Sequence, residues 1–172
     1  VALAFCAMFA VTAVMPQTAG AEPYTYINKE EGYSIMCPTK PLGVLPASVL
    51  NEDEKGSVLV FANDGYKINK AWIIVPDGFA KGDLPDLTKL SQKDEALLLT
   101  QLKENSAYAV VDIIPVTAKT KGVFAVTAKT IMVDTDGDGE LDTEATADTQ
   151  MAVVFLRSEK GRAFKIELID NP

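Results

Sequence analysis

The chain has 172 residues, a formal charge of −8, no histidine and two cysteines. At that length, with 48% hydrophobic residues, it can bury a core of its own. That excludes a disordered tail and a small fold dependent on disulfides. The missing histidine excludes Ser-His-Asp triads, histidine-bearing zinc hydrolase sites and most general-base designs.

In chain order, the first segment is "VALAFCAMFAVTAVMPQTAGA", residues 1–21, which carries no charge. Its apolar run is shorter than the roughly 20 residues a spanning helix needs. It ends in Ala19-Gly20-Ala21, the small-x-small pattern of signal-peptidase cleavage. Residues 1–21 are read as a signal peptide that lacks its basic start, so its first residues are expected to be missing from this sequence. Residues 22–172 are read as a single exported domain, periplasmic, cell-surface or extracellular, with no stable membrane span after leader cleavage. Cys6 falls in the leader, which leaves Cys37 alone in the mature chain with no intramolecular partner. A lone thiol with no histidine near it is expected to be buried.

"YTYINKEEGYSIMC" reads as two short strands around a turn at Lys29 to Gly32, with Pro38 ending the second. Residues 41–56 read as a connection. "SVLVFANDGYKINKAWIIVPDG" reads as a hairpin turning at Asn63-Asp64-Gly65, with Trp72 in the core or on a sheet face. Residues 91–104 read as the principal helix, capped by Ser91, with Asp94 and Glu95 in its first turn and Lys103 near its end. Leu90, Leu97, Leu98 and Leu102 are expected to form its core-facing side. "YAVVDIIPV", "GVFAVTAKTIMV", "TQMAVVFLRS" and "RAFKIELI" read as strands, the last two joined by a turn at Glu159-Lys160-Gly161. Strands, one helix, then strands is an α+β order. It predicts a mainly antiparallel sheet with one helix packed on it.

Tyr26, Asn28, Gly32, Tyr33, Ser34, Ile35 and Pro38 make a spaced pattern that resembles the entry hairpin of the PsbP/Mog1-like superfamily. That superfamily includes small exported bacterial domains. The resemblance implies an α+β fold and a non-catalytic accessory or binding role. Many members end in a further helix packed on the sheet. Here the sequence stops after a strand, so either this protein departs from that pattern or its C-terminus is truncated.

The acidity is concentrated in "VDTDGDGELDTEATAD", residues 133–148, which holds seven carboxylates and no lysine or arginine. With those seven set aside, 17 of the 24 acids remain against 16 bases, close to neutrality. No basic cluster points to nucleic acid. Counting Asp134 as position 1, Asp136 stands at 3, Asp138 at 5, Gly139 at 6, Glu140 at 7 and Asp142 at 9. Calcium takes six to eight hard oxygens, and alternate residues on a tightly curled backbone can aim at one centre. Leu141 at position 8 matches the apolar anchor of such loops. Position 12 is Ala145, where an EF-hand places a bidentate Glu, and the flanks read as strands. The segment therefore resembles a D-x-D-x-D-G calcium loop in a strand-loop-strand unit. Asp134, Asp136, Asp138, Asp142 and the Glu140 carbonyl are the expected ligands, with Glu144 or Asp148 completing the shell. The missing position-12 ligand implies weak binding, on the order of 10⁻⁴–10⁻³ M.

The reading that follows is a non-enzymatic exported domain with a Ca²⁺-stabilised loop and an unidentified protein or small-molecule partner. Two alternatives stand beside it. One is a small hydrolase using two carboxylates. The other is a fragment of a calcium-loop adhesin, which would need further copies of the motif.

Overall fold

The computed structural model describes residues 22–65, 67–80, 82–106, 108–128, 130–133, 137, 139–140, 143–146 and 151–170. Eleven strands and one α-helix appear among them. The strands are β1 (Tyr24–Asn28), β2 (Tyr33–Cys37), β3 (Gly43–Pro46), β4 (Ser57–Asn63), β5 (Ile68–Pro76), β6 (Val110–Thr117), β7 (Thr120–Val126), β8 (Thr130–Val133), β9 (Thr143–Thr146), β10 (Met151–Arg157) and β11 (Ala163–Asp170). The helix, α1, spans Gln92–Glu104.

Seven strands form one sheet in the order β3-β4-β5-β11-β10-β7-β6, and every pairing in it is antiparallel. The fold is α+β and mainly antiparallel sheet. Period-two alternation sorts its side chains between two faces. On β5, Trp72 and Ile74 go to one face and Ala71, Ile73 and Val75 to the other. The first face is covered by the β1–β2 hairpin. Its Tyr33, Ile35 and Cys37 pack on Leu59, Trp72, Ile74, Val154, Leu156, Phe164, Ile166 and Leu168. On the opposite face, Leu98, Leu99 and Leu102 of α1 pack against a cluster that includes Val111, Val123 and Ala125.

The start of α1 follows local chemistry. Ser91 Oγ accepts from Asp94 N at 3.2 Å, and the two acids of the first turn suit the positive end of the helix dipole. The β4–β5 turn is fixed by Asp64 N donating to the Lys67 carbonyl and by Gly65 at φ 93°.

Three expectations need correction. Residues 41–56 are not only a connection, because β3 pairs with β4 as the sheet edge. All four of its residues are exposed, so no alternation marks it in the sequence. Leu97 does not face the core: it is 57% exposed, and Leu99 packs instead. Leu98 and Leu102 are four apart and Leu99 and Leu102 three apart, which puts this trio on one stripe. "GVFAVTAKTIMV" is not one strand but two, β7 and β8, with a break after Val126.

Candidate functional site

The acidic segment sits at the end of a hairpin. β8 and β9 pair antiparallel from Thr130 opposite Thr146 to Val133 opposite Thr143, with residues 134–142 between them in the sequence. The same two arms continue into the sheet, where β7 pairs with β10 and Val126 lies opposite Ala152. Three residues on one arm and five on the other separate the two ladders. Thr127 N donates to the Met151 carbonyl at 2.9 Å, and Met151 N donates to Thr127 Oγ1 at 2.8 Å. The tip is thus carried on arms anchored in the seven-stranded sheet.

The flanks of the loop are strands, as the sequence implies, so the unit is strand-loop-strand and not an EF-hand. Gly137 and Gly139 have φ of 82° and 90°. These left-handed values let a chain curl tightly, and glycine adopts them without steric cost. Glu140 is exposed and Glu144 lies on β9 opposite Met132. Asp134, Asp136, Asp138 and Asp142 lie outside the described residues, as do Leu141 and Asp148. Among the described residues no group of three or more acids or cysteines is arranged to hold a metal.

A second polar constellation was visible in the sequence only as spacing. Tyr26, Asn28 and Tyr33, three residues of the entry-hairpin pattern, converge on one atom, Ser57 Oγ at the start of β4. The distances are 2.9 Å to Tyr26 Oη, 3.1 Å to Asn28 Nδ2 and 2.8 Å to Tyr33 Oη. A serine hydroxyl has one proton and two lone pairs, so three partners fill its capacity. Asn28 serves twice, because its Oδ1 also accepts from Glu31 N at 2.9 Å and closes the β1–β2 turn. Ser57 and Tyr33 are buried, and burial pushes the Tyr33 phenol up to about 12, against the opposing effect of its hydrogen bonding with Ser57 and Asn28. Tyrosine, tyrosine and asparagine offer no base at neutral pH. The cluster fastens the hairpin to the sheet and does not activate a nucleophile. One signal for Ser57 existed: period two puts it on the inward face with Leu59, and an inward hydroxyl needs partners.

Both arginines of the chain lie on or beside the β10–β11 hairpin and tie distant loops to it. Arg157 donates to the Leu84 and Ala80 carbonyls at 2.8 and 3.1 Å. Arg162 donates to the Glu31 carbonyl and pairs with Asp77 at 3.1 Å. A cleft of about 700 Å³ beside Arg157 is lined by Lys89, Lys119, Lys121 and Lys160 as well as Asp86 and Glu159. Three of its lysines are matched by carboxylates: Lys89 to Asp86 at 2.9 Å, Lys119 to Glu159 at 3.8 Å, and Lys121 to Glu95. The first two pairs are exposed and contribute little to stability.

Cys37 is buried at 1% exposure, and burial pushes its thiol up to about 12. A thiol held protonated is neither a nucleophile nor a metal ligand at neutral pH. We expect it to resist an aromatic disulfide reagent at pH 8 until the protein is unfolded, and rapid reaction of the native protein would refute this. The unfolded thiol ionises near 9.0 and the folded one near 12. Its stabilising contribution is therefore complete below pH 9 and is lost as pH rises toward 12. Urea midpoints measured between pH 8 and 11 should fall more steeply for the natural protein than for Cys37→Ala.

Comparison with protein-family models, with curated proteins and with solved structures finds no match to the chain. Among the described residues, no helix is long and apolar enough to cross a membrane.

Proposed function

We propose that the chain is a non-enzymatic exported domain whose hairpin tip is a calcium-stabilised loop. The ligands are the carboxylates of Asp134, Asp136, Asp138 and Asp142 and the Glu140 carbonyl, with Glu144 completing the shell. One observation carries this reading. The segment closes between two paired strands at Val133 and Thr143, with left-handed glycines at positions 4 and 6 of the loop. Positive φ at these two glycines supports the tight curl that an oxygen cage needs. A cation also answers the repulsion among closely spaced carboxylates, which otherwise destabilises the folded hairpin. The resemblance of the entry hairpin to PsbP/Mog1-like domains supports the non-enzymatic part, since its polar residues serve to dock β1 and β2.

Thermal melting of residues 22–172, first in EDTA and then in about 10 mM calcium, tests the proposal. That concentration is about ten times the weak end of the expected range. Binding to the folded state alone then adds about 1.4 kcal/mol by mass action. For a domain of this size, that raises the melting temperature by roughly 3–6 °C. Magnesium should not reproduce the shift, and Asp134→Ala and Asp138→Ala should each abolish it. An unchanged melting temperature would leave the seven carboxylates as a solvated loop.

A further inference from the structure

Among the described residues eight large apolar side chains are exposed, and five of them stand close together at one edge of the sheet. They are Leu42, Val44, Leu45, Val49 and Leu50, each 40–69% exposed. The first three lie on or beside β3, and the other two on the 3₁₀ turn that follows it or at its end. No residue from Pro41 to Asn51 carries a charge, although the chain as a whole stands at −8. Single exposed apolar residues are ordinary, but a contiguous group on an uncharged sheet edge marks a surface that meets a partner.

The backbone of β3 indicates which partner. β3 is an end strand, and its outer edge pairs with no strand among the described residues. Ala47 N donates to the Gly56 carbonyl at 3.0 Å, one step beyond the Pro46–Ser57 pair and in the same register. Hydrogen-bonded and non-bonded pairs alternate along an antiparallel ladder. Leu45 and Gly43 therefore turn their backbone groups toward β4, and Val44 turns its N–H and carbonyl outward. Pro46 has no N–H, and Leu42 N is given to the Val60 carbonyl at 2.7 Å. Among residues 42–46, Val44 N–H is thus the only outward donor.

We propose that β3 is the contact between two copies of this chain, which pair antiparallel about a two-fold axis with Val44 opposite Val44. Each Val44 N–H then donates to the other copy's Val44 carbonyl. A register shifted by two residues would leave each Val44 carbonyl facing Pro46 or Leu42, neither of which has a donor to give. In the centred register, Leu45 of one copy lies opposite Gly43 of the other, and nothing lies within 4 Å of a carbon added at Gly43. Leu42 lies opposite Pro46, so every facing pair is apolar and no like charges meet. A two-fold contact of this kind closes on two copies. The far edge of the sheet is guarded against further growth. There β6 carries Pro115, its ladder with β7 shifts register at that point, and Asp112 is exposed. The contact is independent of the calcium loop and would stand if that loop bound nothing. A short strand with two backbone bonds falls below the roughly 800 Å² per partner of a stable complex. The dimer is accordingly weak, with a dissociation constant on the order of 100 µM.

The test uses residues 22–172, which contain every strand and core cluster described above. Sedimentation equilibrium from about 10 µM to about 1 mM should show the average mass rising from that of one chain toward that of two. Val44→Pro removes the outward donor and leaves the β3–β4 bonds in place. Val44→Lys keeps the backbone and sets two ammonium groups opposite each other. Each should weaken association at least tenfold while the melting temperature of the dilute protein stays within about 2 °C of the natural value. Val44 is exposed in the single chain, so Val44→Lys carries the test even if the proline variant fails to fold. A mass that stays at one chain up to 1 mM would overturn the proposal and leave the patch to a different protein or to a lipid surface. So would association that persists undiminished in Val44→Lys, because the contact would then lie elsewhere.

Discussion

Gly56→Ala is expected to destabilise the fold by roughly 3 kcal/mol or more, from a strained dihedral and an overpacked contact of about 1–3 kcal/mol each. Gly56 has φ of 120°, and a methyl built on it would stand 1.9 Å from the Ile74 carbonyl oxygen and 3.0 Å from Pro76 Cδ. The obstacle is backbone, not the free end of a side chain. Ile74 lies opposite Ser57 in the β4–β5 ladder and opposite Ile166 in the β5–β11 ladder. Moving it therefore disturbs two ladders. Nor can Gly56 retreat easily. Its N–H is given to Glu31 Oε1 at 2.8 Å, and its carbonyl accepts from Ala47 N at 3.0 Å. Gly65 supplies the control. It too has a positive φ, 93°, but nothing lies within 4 Å of the added carbon. Gly65→Ala should cost only about 1 kcal/mol. Urea midpoints of the two variants, with unchanged m values, make the comparison. Equal losses would show that the approach to Ile74 is not what requires a glycine at 56. Against a usual total of about 5–15 kcal/mol, the Gly56 loss is large.

What the sequence discloses and what it withholds follow one division, between local and distant causes. Ser91 marks the start of α1 because a cap acts within three residues. Asn63-Asp64-Gly65 marks the β4–β5 turn because turn chemistry is equally local. Alternation discloses β11, while β5 shows as a continuous apolar run because both of its faces meet apolar neighbours. It fails for β3, where no face is buried, so no period appears. It also misplaces Leu97, because four leucines among residues 97–102 allow more than one stripe and only the sheet selects between them. Gly56 reads as part of a polar connection. Its constraint comes from Ile74, on a neighbouring strand. The acidic segment is the converse case. Its spacing proposes a ligand set from within a single loop, and the structure adds the hairpin that carries it.

The Ser57 cluster gives the second large effect. Ser57→Ala should cost roughly 2–4 kcal/mol, because it takes the partner from a buried phenol and two further polar groups, and an unsatisfied buried donor costs about 1–3 kcal/mol. Tyr33 is only 4% exposed, so its hydroxyl cannot turn readily to water. Tyr26 and Asn28 are half-buried and exposed enough to recover part of their loss. Tyr33→Phe alone should cost about 1 kcal/mol, the net value of one hydrogen bond, since its ring keeps the edge contact with Phe164 at 5.6 Å. The double variant decides the matter. Removing both partners of a buried bond is far cheaper than removing one, so Tyr33→Phe should restore stability in the Ser57→Ala background. A cycle of urea denaturations should give a coupling of about 1 kcal/mol or more between the two positions. Additivity within about 0.5 kcal/mol would mean that the phenol and the hydroxyl act separately. In that case the spacing of Tyr26, Asn28 and Tyr33 would need another physical cause than the docking of β1 and β2 onto the sheet.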